Sequence, residues 1–272
     1  MKIVRVRTHA GEVCHGVMEE NGSVRRIEGN ILGKWSVGPD AVAAESIERM
    51  LAPVDPPNIV AIGLNYVGHA RETEMKLPTA PVVFLKATTS LAGPGDPILL
   101  PPQAPNEVDF EGELALVIGR KARGISRDEA MDYVLGWTAA NDVSARDCQM
   151  RLDVQWTRAK SFDTFCPIGP CIQTEGDPDN LAIRTRLEGE LMQEACTKEM
   201  LFSCRTLVSY LSHQFTLLPG TIILTGTPEG VGHMRTPPRF MREGETVEVE
   251  IEGVGTLRNP VRKGLPNASK IG

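Results

Sequence analysis

The hydrophobic pattern near the N-terminus predicts a hairpin followed by a helix. In KIVRVR (2–7) apolar side chains alternate with charged ones, which is typical of a half-buried strand, and ENGS (20–23) is a hairpin turn signal. The segment AVAAESIERML (41–51) has apolar residues at helical spacing and follows Asp40, a residue type that caps helices well. We expect these residues to form one small unit.

A proline-punctuated segment, APVDPPN (52–58), separates this unit from the rest of the chain and is typical of a linker. The 272 residues are enough for a main domain with a small companion. We therefore predict a small N-terminal β-hairpin and helix domain over residues 1–54 and a larger domain over residues 55–272.

Strands dominate the remaining pattern. Alternation or short apolar runs predict strands in IVAIG (59–63), PVVFLK (81–86), VDFEGELALV (108–117), TIILTG (221–226) and ETVEVEIEG (245–253), and a hairpin over 182–195. Helices are predicted after a capping box at Ser126–Glu129, ending near Gly136, and over about 203–213, with a loose tail after Gly264. Because helices do not alternate regularly with strands, the predicted fold class is α+β, predominantly β.

The predicted strand VDFEGELALV (108–117) carries three carboxylates on one face. Successive side chains of a strand point to opposite faces, so Asp109, Glu111 and Glu113 lie together, where like charges repel. Such a strand is typical either of a sheet edge with a solvated charged face or of a site for a hard cation, which would neutralise the repulsion. The strand alone leaves both interpretations open, and another carboxylate nearby would favour the cation.

The segment WTAANDVSARDCQ (137–149) offers that carboxylate. An apolar strand leads into Asp142, and the turn after it can start a helix in which Arg146 and Gln149 share one face. Strand-to-helix turns commonly present functional side chains, although Asp142 could merely end the strand and Arg146 could form a surface ion pair. Asp142 is thus a candidate third ligand.

The segment NYVGHARETEM (65–75) contains the most informative histidine. His69 and Glu72 are at positions i and i+3, so in a helical turn they share a face and can hydrogen-bond. A carboxylate that orients a histidine and stabilises its cation makes the ring a better general base near neutral pH. A structural histidine is the competing interpretation.

Two further stretches are weaker signals. The turn LTGTPEGVG (224–232) follows a strand and exposes backbone N–H groups that can hold a carboxylate or an oxyanion. It lacks the GK[ST] ending of a phosphate-binding loop, which argues against nucleotide binding. Lys160, in RAKSF, is uninformative by itself.

Composition and charge exclude several classes of protein. The formal net charge of −6 and the absence of a basic run argue against nucleic-acid binding, and no apolar segment has the length of a membrane span. The N-terminal sequence does not resemble a signal peptide, and the six cysteines form no CxxC pair. We expect a soluble cytoplasmic protein with reduced, mostly buried thiols.

Taken together and in this order, the motifs resemble the fumarylacetoacetate hydrolase superfamily. The resemblance runs from about Ile59 to Val261 and is carried by IGLNYVGHARE, PVVFLK, VDFEGELALVIG, NDVSARDCQ, RAKSFDTFCPIGP, LEGELMQ and LTGTPEGVG. It implies a mixed β-sandwich roll with a small N-terminal accessory domain, usually as a homodimer. It also implies one divalent cation per subunit, Mg²⁺ or Mn²⁺ with Ca²⁺ as an alternative.

The resemblance also implies a role for each matching residue. Glu111, Glu113 and Asp142 match the ligands of the cation, whereas Asp109 lies outside the pattern. The implied catalytic residues are the water-activating pair His69 and Glu72, with Lys160 holding an enolate. The implied substrate-binding residues are Arg146, Gln149, Gly226 and Thr227. Of these, Gly226 and Thr227 belong to the turn that would hold a carboxylate of the substrate.

The reaction that these parts imply is metal-dependent hydrolysis of a carbon–carbon bond in an acylpyruvate-type 2-oxo acid, such as a fumarylpyruvate-like compound from aromatic catabolism. The alternatives on the same site are decarboxylation of an oxaloacetate-type acid and isomerisation of 2-hydroxyhepta-2,4-diene-1,7-dioate. A catalytically silent metal-binding protein is a more remote alternative, since such a protein would be free to lose the histidine–glutamate pair.

Overall fold

The computed structural model describes residues 1–264, and the tail predicted after Gly264 lies outside them. The strands in these residues are β1 (Lys2–Thr8), β2 (Val13–Met18), β3 (Val24–Gly29), β4 (Trp35–Val42), β5 (Ile47–Leu51), β6 (Ile59–Gly63), β7 (Val82–Lys86), β8 (Leu91–Ala92), β9 (Ile98–Leu100), β10 (Val108–Asp109), β11 (Gly112–Ile118), β12 (Val134–Asn141), β13 (Ser144–Ala145), β14 (Cys166–Gln173), β15 (Ala182–Leu187), β16 (Glu190–Cys196), β17 (Ile222–Leu224), β18 (Thr246–Ile251) and β19 (Gly255–Lys263). The α-helices are α1 (Val67–Glu72) and α2 (Cys204–Gln214), and a π-helical turn covers Cys148–Leu152. Short 3₁₀ turns cover Ala44–Ser46, Thr88–Ser90, Ala130–Tyr133, Thr197–Glu199 and Gly232–Met234.

Strand pairing replaces the helix predicted over 41–51, so that prediction was wrong. Val42 lies opposite Val24 of β3, and Met50 lies opposite Val6 of β1. These pairings bury Val24 and Val6 and satisfy backbone groups, which outweighs the local helical preference of an alanine-rich segment. The N-terminal unit consists of β1 to β5, and β1 also pairs with β14, so the unit extends the main sheet.

The main sheet places the acidic segment at its centre. Its strand order is β4-β3-β2-β1-β14-β12-β11-β17-β6-β7, and β11 is buried along its whole length between β12 and β17. The sheet-edge interpretation of 108–117 is therefore wrong. The predicted single strand is also interrupted at Phe110 and Glu111, because β10 leaves the sheet and pairs with β13.

A second sheet, with the order β16-β15-β18-β19-β9, packs against the first. Leu114 of β11 shares a hydrophobic cluster with Ile183 of β15 and Val249 of β18, all at most 1% exposed. The hairpin predicted over 182–195 is present as β15 and β16. This arrangement confirms an α+β fold, predominantly β, with a mixed-sheet sandwich.

The other two predicted helices, after Ser126–Glu129 and over about 203–213, have different outcomes. The helix predicted over about 203–213 is confirmed as α2, whose cap Ser203 accepts a hydrogen bond from the Thr206 amide. The capping box forms between Ser126 and Glu129, but only a 3₁₀ turn follows because β12 begins at Val134. Within residues 1–264, no helix is long and apolar enough to cross a membrane.

Candidate active site

Three buried carboxylates meet beneath the centre of the main sheet. Glu111 lies in the break between β10 and β11, Glu113 is in β11, and Asp142 follows β12. One carboxylate oxygen of each lies within 4.8 Å of the others, and the residues are 1–5% exposed. The Asp142 amide donates to the Glu111 carbonyl at 2.8 Å, which holds the two segments side by side. We call these three residues the carboxylate cluster.

Two lysines compensate the charge of Asp142. Lys160 Nζ donates to Asp142 Oδ2 at 2.8 Å and to Glu111 Oε2 at 2.6 Å. Lys86 Nζ, on β7, donates to Asp142 Oδ1 and its side chain is fully buried. Burial would lower the pKa of Lys160, but Asp142 and Glu111 outweigh this and raise the pKa above its ordinary value, so the ammonium stays charged.

The two glutamates of the cluster have opposite pKa shifts. Burial would raise the pKa of Glu111, but the Lys160 ammonium and the Arg146 guanidinium together hold it below its usual range. Burial, with the charges of Asp142 and Glu111, raises the pKa of Glu113 well above its ordinary value. Glu113 Oε2 accepts a hydrogen bond from the Gly226 amide at 2.7 Å, and this does not offset the repulsion. The ionised form of Glu113 is therefore disfavoured by its surroundings.

This donor set fits a hard divalent cation. All three candidate ligands are carboxylates, which Mg²⁺, Mn²⁺ and Ca²⁺ prefer over softer ligands. One oxygen of each lies within 4.8 Å of the others, as the binding of a single ion requires, and a cation there would stabilise the ionised form of Glu113. The expectation that Glu111, Glu113 and Asp142 gather at one point is confirmed by their geometry.

Asp109 is not part of the carboxylate cluster and instead binds the residues beside it. Its Oδ2 accepts hydrogen bonds from Arg146 Nε at 2.8 Å and from the His233 amide at 2.9 Å, and its Oδ1 accepts one from the Gly232 amide at 2.8 Å. Arg146 also contacts Glu111 Oε1 at 2.7 Å and donates to Gln149 Oε1 at 2.7 Å. Asp109 is fully buried, so it orients Arg146 and a loop.

The histidine–glutamate pair forms on α1 as the spacing predicts. Glu72 Oε1 lies 2.7 Å from His69 Nδ1, and its Oε2 accepts a hydrogen bond from the Gly230 amide at 2.8 Å. His69 is 8% exposed and lines the same cavity as the carboxylate cluster. With Nδ1 held by Glu72, the other ring nitrogen, Nε2, is the one free to act in the cavity.

The turn after β17 supports the cluster from behind. Gly226 has φ +101°, and an added Cβ would lie 2.7 Å from Asn65 Cβ, so this position requires glycine. The Gly226 amide was expected to hold a carboxylate of the substrate. In the structure it donates to Glu113, and its role in substrate binding stays a prediction. Thr227 lines the cavity, and its hydroxyl donates to the Gly112 carbonyl at 3.0 Å and accepts from Gln193 at 2.7 Å.

One cavity of about 290 Å³ brings most of the predicted residues together. Those that line it are His69, Glu111, Glu113, Asp142, Arg146, Gln149, Lys160 and Thr227. Glu72 and Gly226 stand one hydrogen bond behind it, through His69 and Glu113. Its remaining wall is largely apolar and includes Phe84, Met75, Met150, Trp156 and Met234.

Two residues of the site were missed from the sequence. Lys86 was seen only as the end of a strand, although it is in phase with the buried Phe84 while Val83 and Leu85 are exposed. A lysine on the buried face of a strand was the available signal. His233 is not among the residues predicted for the site, yet it lines the cavity, and only the fold shows this.

The thiols take no part in this chemistry. All six cysteines are free, and burial raises the pKa of Cys166 to about 12 and that of Cys171 to about 11. Burial likewise raises the pKa of Cys204. Thiols with such pKa values are poor nucleophiles, in agreement with the expected reduced and mostly buried cysteines.

Comparisons with known proteins agree with this geometry. Residues 58–262 match the family described as "Fumarylacetoacetate (FAA) hydrolase C-terminal", and residues 1–53 match "Rv2993c-like, N-terminal". The chain is 46% identical over 225 residues to a Xenopus laevis protein named oxaloacetate tautomerase fahd2, mitochondrial. That alignment covers 81% of this chain and 70% of the relative.

Solved structures share the whole architecture. A 2-hydroxyhepta-2,4-diene-1,7-dioate isomerase from Mycobacterium marinum is 40% identical with a TM-score of 0.87, covering 98% of this chain and 100% of the other. A 5-carboxymethyl-2-hydroxymuconate delta-isomerase from Mycobacterium smegmatis is 39% identical with a TM-score of 0.87, covering 97% and 100%. The N-terminal unit is therefore part of the shared architecture.

Proposed function

Because the chain belongs to the fumarylacetoacetate hydrolase family and is an enzyme of that superfamily, we propose that it interconverts the keto and enol forms of a short 2-oxo dicarboxylate of the oxaloacetate type. The cofactor is one divalent cation per subunit, Mg²⁺ or Mn²⁺ with Ca²⁺ as an alternative, held by Glu111, Glu113 and Asp142. The names of the relatives support a tautomerase or isomerase over the acylpyruvate hydrolase that the motifs first favoured.

The observation that carries this proposal is the oriented histidine in the cavity of the carboxylate cluster. Glu72 fixes His69 through Nδ1 and is itself held by the Gly230 amide. A keto–enol reaction needs a base that removes a proton from carbon and returns it to oxygen, and an oriented imidazole does both near neutral pH. A single base suffices because the reaction has no net proton change.

The proton steps use the side chains in the cavity. His69 Nε2 removes a proton from C3 of the keto acid, the C3–H electrons form the C2–C3 double bond, and the carbonyl π electrons move to oxygen. The Lys160 ammonium, whose raised pKa keeps it charged, stabilises the negative charge on that oxygen. His69 then returns the proton to the same oxygen to give the enol.

The carboxylate cluster supplies the remaining chemistry. When bound there, a divalent cation polarises a 2-oxo carbonyl as a Lewis acid and favours the enolate charge. Arg146 and Gln149 orient the substrate from the adjoining wall, which Asp109 holds in place. The apolar side chains that complete the cavity leave the polar contacts with the substrate to the carboxylate cluster and its cationic neighbours.

Hydrolysis of an acylpyruvate is the second candidate, favoured by the apolar wall. Met75, Met150, Trp156 and Met234 could pack against an acyl chain that oxaloacetate lacks. In that reaction His69 would take a proton from water, the hydroxide would attack the distal carbonyl, and the carbon–carbon bond would break to give a pyruvate-type enolate. Both reactions need the same base, so only the products separate them.

A product assay distinguishes the candidates. The purified protein with Mg²⁺ or Mn²⁺ is given enol oxaloacetate, and the near-ultraviolet enol absorbance, carbon dioxide release and total 2-oxo acid are followed together. Tautomerisation accelerates the absorbance change without carbon dioxide or loss of 2-oxo acid, whereas carbon dioxide indicates decarboxylation. Acetylpyruvate, fumarylpyruvate and the dienedioate are tested in parallel. Activity on none of them supports the silent metal-binding alternative and would refute the proposal.

We also propose that the protein is a cytoplasmic homodimer without a nucleic-acid or membrane partner. Val83 and Leu85 are exposed on β7, at the edge of the main sheet, and such apolar edge surface favours a second copy over solvent. Light scattering coupled to size exclusion tests the dimer. Microscopy of a tagged chain tests the location, since the Xenopus relative is described as mitochondrial.

A further inference from the structure

His233 is the basic side chain of the cavity that has no partner among residues 1–264. The other basic side chains that line it are engaged: Arg146 with Asp109, Glu111 and Gln149, Lys160 with Glu111 and Asp142, and His69 with Glu72. His233 contributes its backbone amide to Asp109, and its ring stacks on Phe240 with centroids 6.3 Å apart. Both ring nitrogens remain available to a ligand.

The fold fixes where this ring lies. The amides of Gly232 and His233 both donate to the buried Asp109, at 2.8 and 2.9 Å. An added Cβ at Gly232 would lie 1.9 Å from the Arg239 carbonyl oxygen, so the backbone is packed tightly against a neighbouring segment. A backbone held on both sides presents the His233 side chain from a defined position, which a binding residue requires.

The backbone contacts also place His233 relative to the carboxylate cluster. Arg146 touches Glu111 of the cluster on one side and Asp109 on the other, and the same Asp109 oxygen binds the His233 amide. His233 is thus separated from the cluster by the width of one ion-paired arginine. The 2-oxo-carboxylate end of a substrate belongs at the cluster and Lys160, so His233 lies where the far end of a short chain would reach.

We propose that His233 is a specificity-determining residue that binds the distal carboxylate of a 2-oxo dicarboxylate. This inference rests on the proposed function, because that function places the 2-oxo end at the carboxylate cluster. The free Nε2 amide of Gln149, whose Oε1 is held by Arg146, provides a second donor along the same wall. A substrate with a methyl group in place of the carboxylate would leave both donors unpaired, which disfavours its binding.

Two 2-oxo acids of equal chain length test the inference by equilibrium binding, without a measurement of activity. 2-Oxoglutarate carries a distal carboxylate, whereas 2-oxopentanoate carries a methyl group at that end. Calorimetric titration of the Mg²⁺-loaded wild type should show about tenfold tighter binding of 2-oxoglutarate, as expected for one charge-assisted hydrogen bond. His233→Ala should remove most of this difference by weakening 2-oxoglutarate binding alone, since only the Gln149 amide would remain, and His233→Gln, which keeps a donor, should restore part of it.

Control variants separate this role from a general loss of structure. His213→Ala removes an exposed histidine at the end of α2, outside the cavity, and should leave the preference unchanged. If His233→Ala and His233→Gln weaken both probes equally, or neither, the inference is refuted. A wild type that shows the His233-dependent preference but does not turn over oxaloacetate refutes the proposed reaction and not the binding role.

Discussion

The carboxylate cluster and the wall that faces it are built in different ways. Around the cluster the cationic side chains are buried and paired: Lys160 alone bridges Glu111 and Asp142. The facing wall has exposed apolar side chains, with Met75 48% and Met150 57% exposed, and few polar contacts. Buried charges are held only by close partners, whereas loosely packed methionines adapt to different shapes. We therefore expect the cluster to determine the reaction and the exposed apolar wall to determine the choice of substrate.

The largest effect should follow from removing the uncompensated charge of the cluster. Glu113→Gln keeps the size of the side chain but removes a candidate ligand, so Mg²⁺ and Mn²⁺ binding should fail and turnover should fall on the order of a thousandfold. The fold should survive, because Glu113 has a raised pKa and pairs with no cation. Manganese titration measures cation binding, an activity assay measures turnover, and circular dichroism shows whether the fold is kept.

A surface glutamate provides the control for that variant. Glu194→Gln removes a carboxylate from an exposed pair with Arg184 and should change neither cation binding nor activity. Wild-type cation affinity in Glu113→Gln would show that the cluster does not use this carboxylate.

The second effect concerns stability. Asp109→Asn puts an amide where Asp109 accepts from Arg146 and from three backbone amides, and leaves a buried guanidinium underpaired. Breaking such a buried pair should lower the free energy of unfolding by about 3–5 kcal/mol, measured by urea denaturation. Asp153→Asn breaks the pair with the exposed Arg158 and should cost less than about 1 kcal/mol. Equal losses of stability in Asp109→Asn and Asp153→Asn would show that the buried contacts of Asp109 contribute no more than an exposed ion pair.

The third effect separates proton transfer from cation binding. His69→Ala should reduce kcat by roughly a hundredfold or more, because it removes the histidine that Glu72 orients in the cavity, and Glu72→Gln should reduce it less. Neither variant should change manganese affinity, since His69 contacts Glu72 rather than the cluster. A His69→Ala variant that loses manganese would place the histidine among the ligands instead.

Sequence reasoning succeeded where chemistry and local pattern agree. Alternation in 108–117 placed Glu111 and Glu113 together, and the spacing of His69 and Glu72 matched one helical turn, because both depend on nearby residues. The lysine side chains that pair with the cluster could not be predicted in this way. Lys86 reaches Asp142 from a strand 56 residues earlier, and only the sheet order brings them together.

The failures have the same physical origin. The segment 41–51 has helical spacing, yet its backbone pairs with β1 and β3, which lie elsewhere in the sequence. Asp109 shares the alternation of Glu111 and Glu113, but the break at Phe110 turns it towards Arg146 and the Gly232 amide. Local pattern predicts which residues can share a face, and long-range pairing decides which of them do. The boundary predicted at residue 54 stays a prediction.

The smallest effect is the pH dependence of the cation-free protein. The raised pKa of Glu113 means that the folded state keeps a proton which the unfolded chain loses near its ordinary value of 4.5. Stability should therefore fall as the pH rises above that value, by up to about 1.4 kcal/mol per pH unit until the folded pKa is reached. The lowered pKa of Glu111 acts in the opposite sense and only below that value, where stability is lost as the pH falls.

This separation of pH ranges makes the test specific. Urea denaturation of chelator-treated protein between about pH 5 and pH 7 should show the falling stability in the wild type and a smaller slope in Glu113→Gln, which cannot ionise. Saturating Mn²⁺ should flatten the wild-type slope, because the cation binds the deprotonated carboxylate and favours the folded state. Identical slopes in the wild type and Glu113→Gln would mean that Lys86 and Lys160 already neutralise the whole cluster. The carboxylate cluster would then not require a bound cation for its stability, and in this respect it would not differ from the apolar wall.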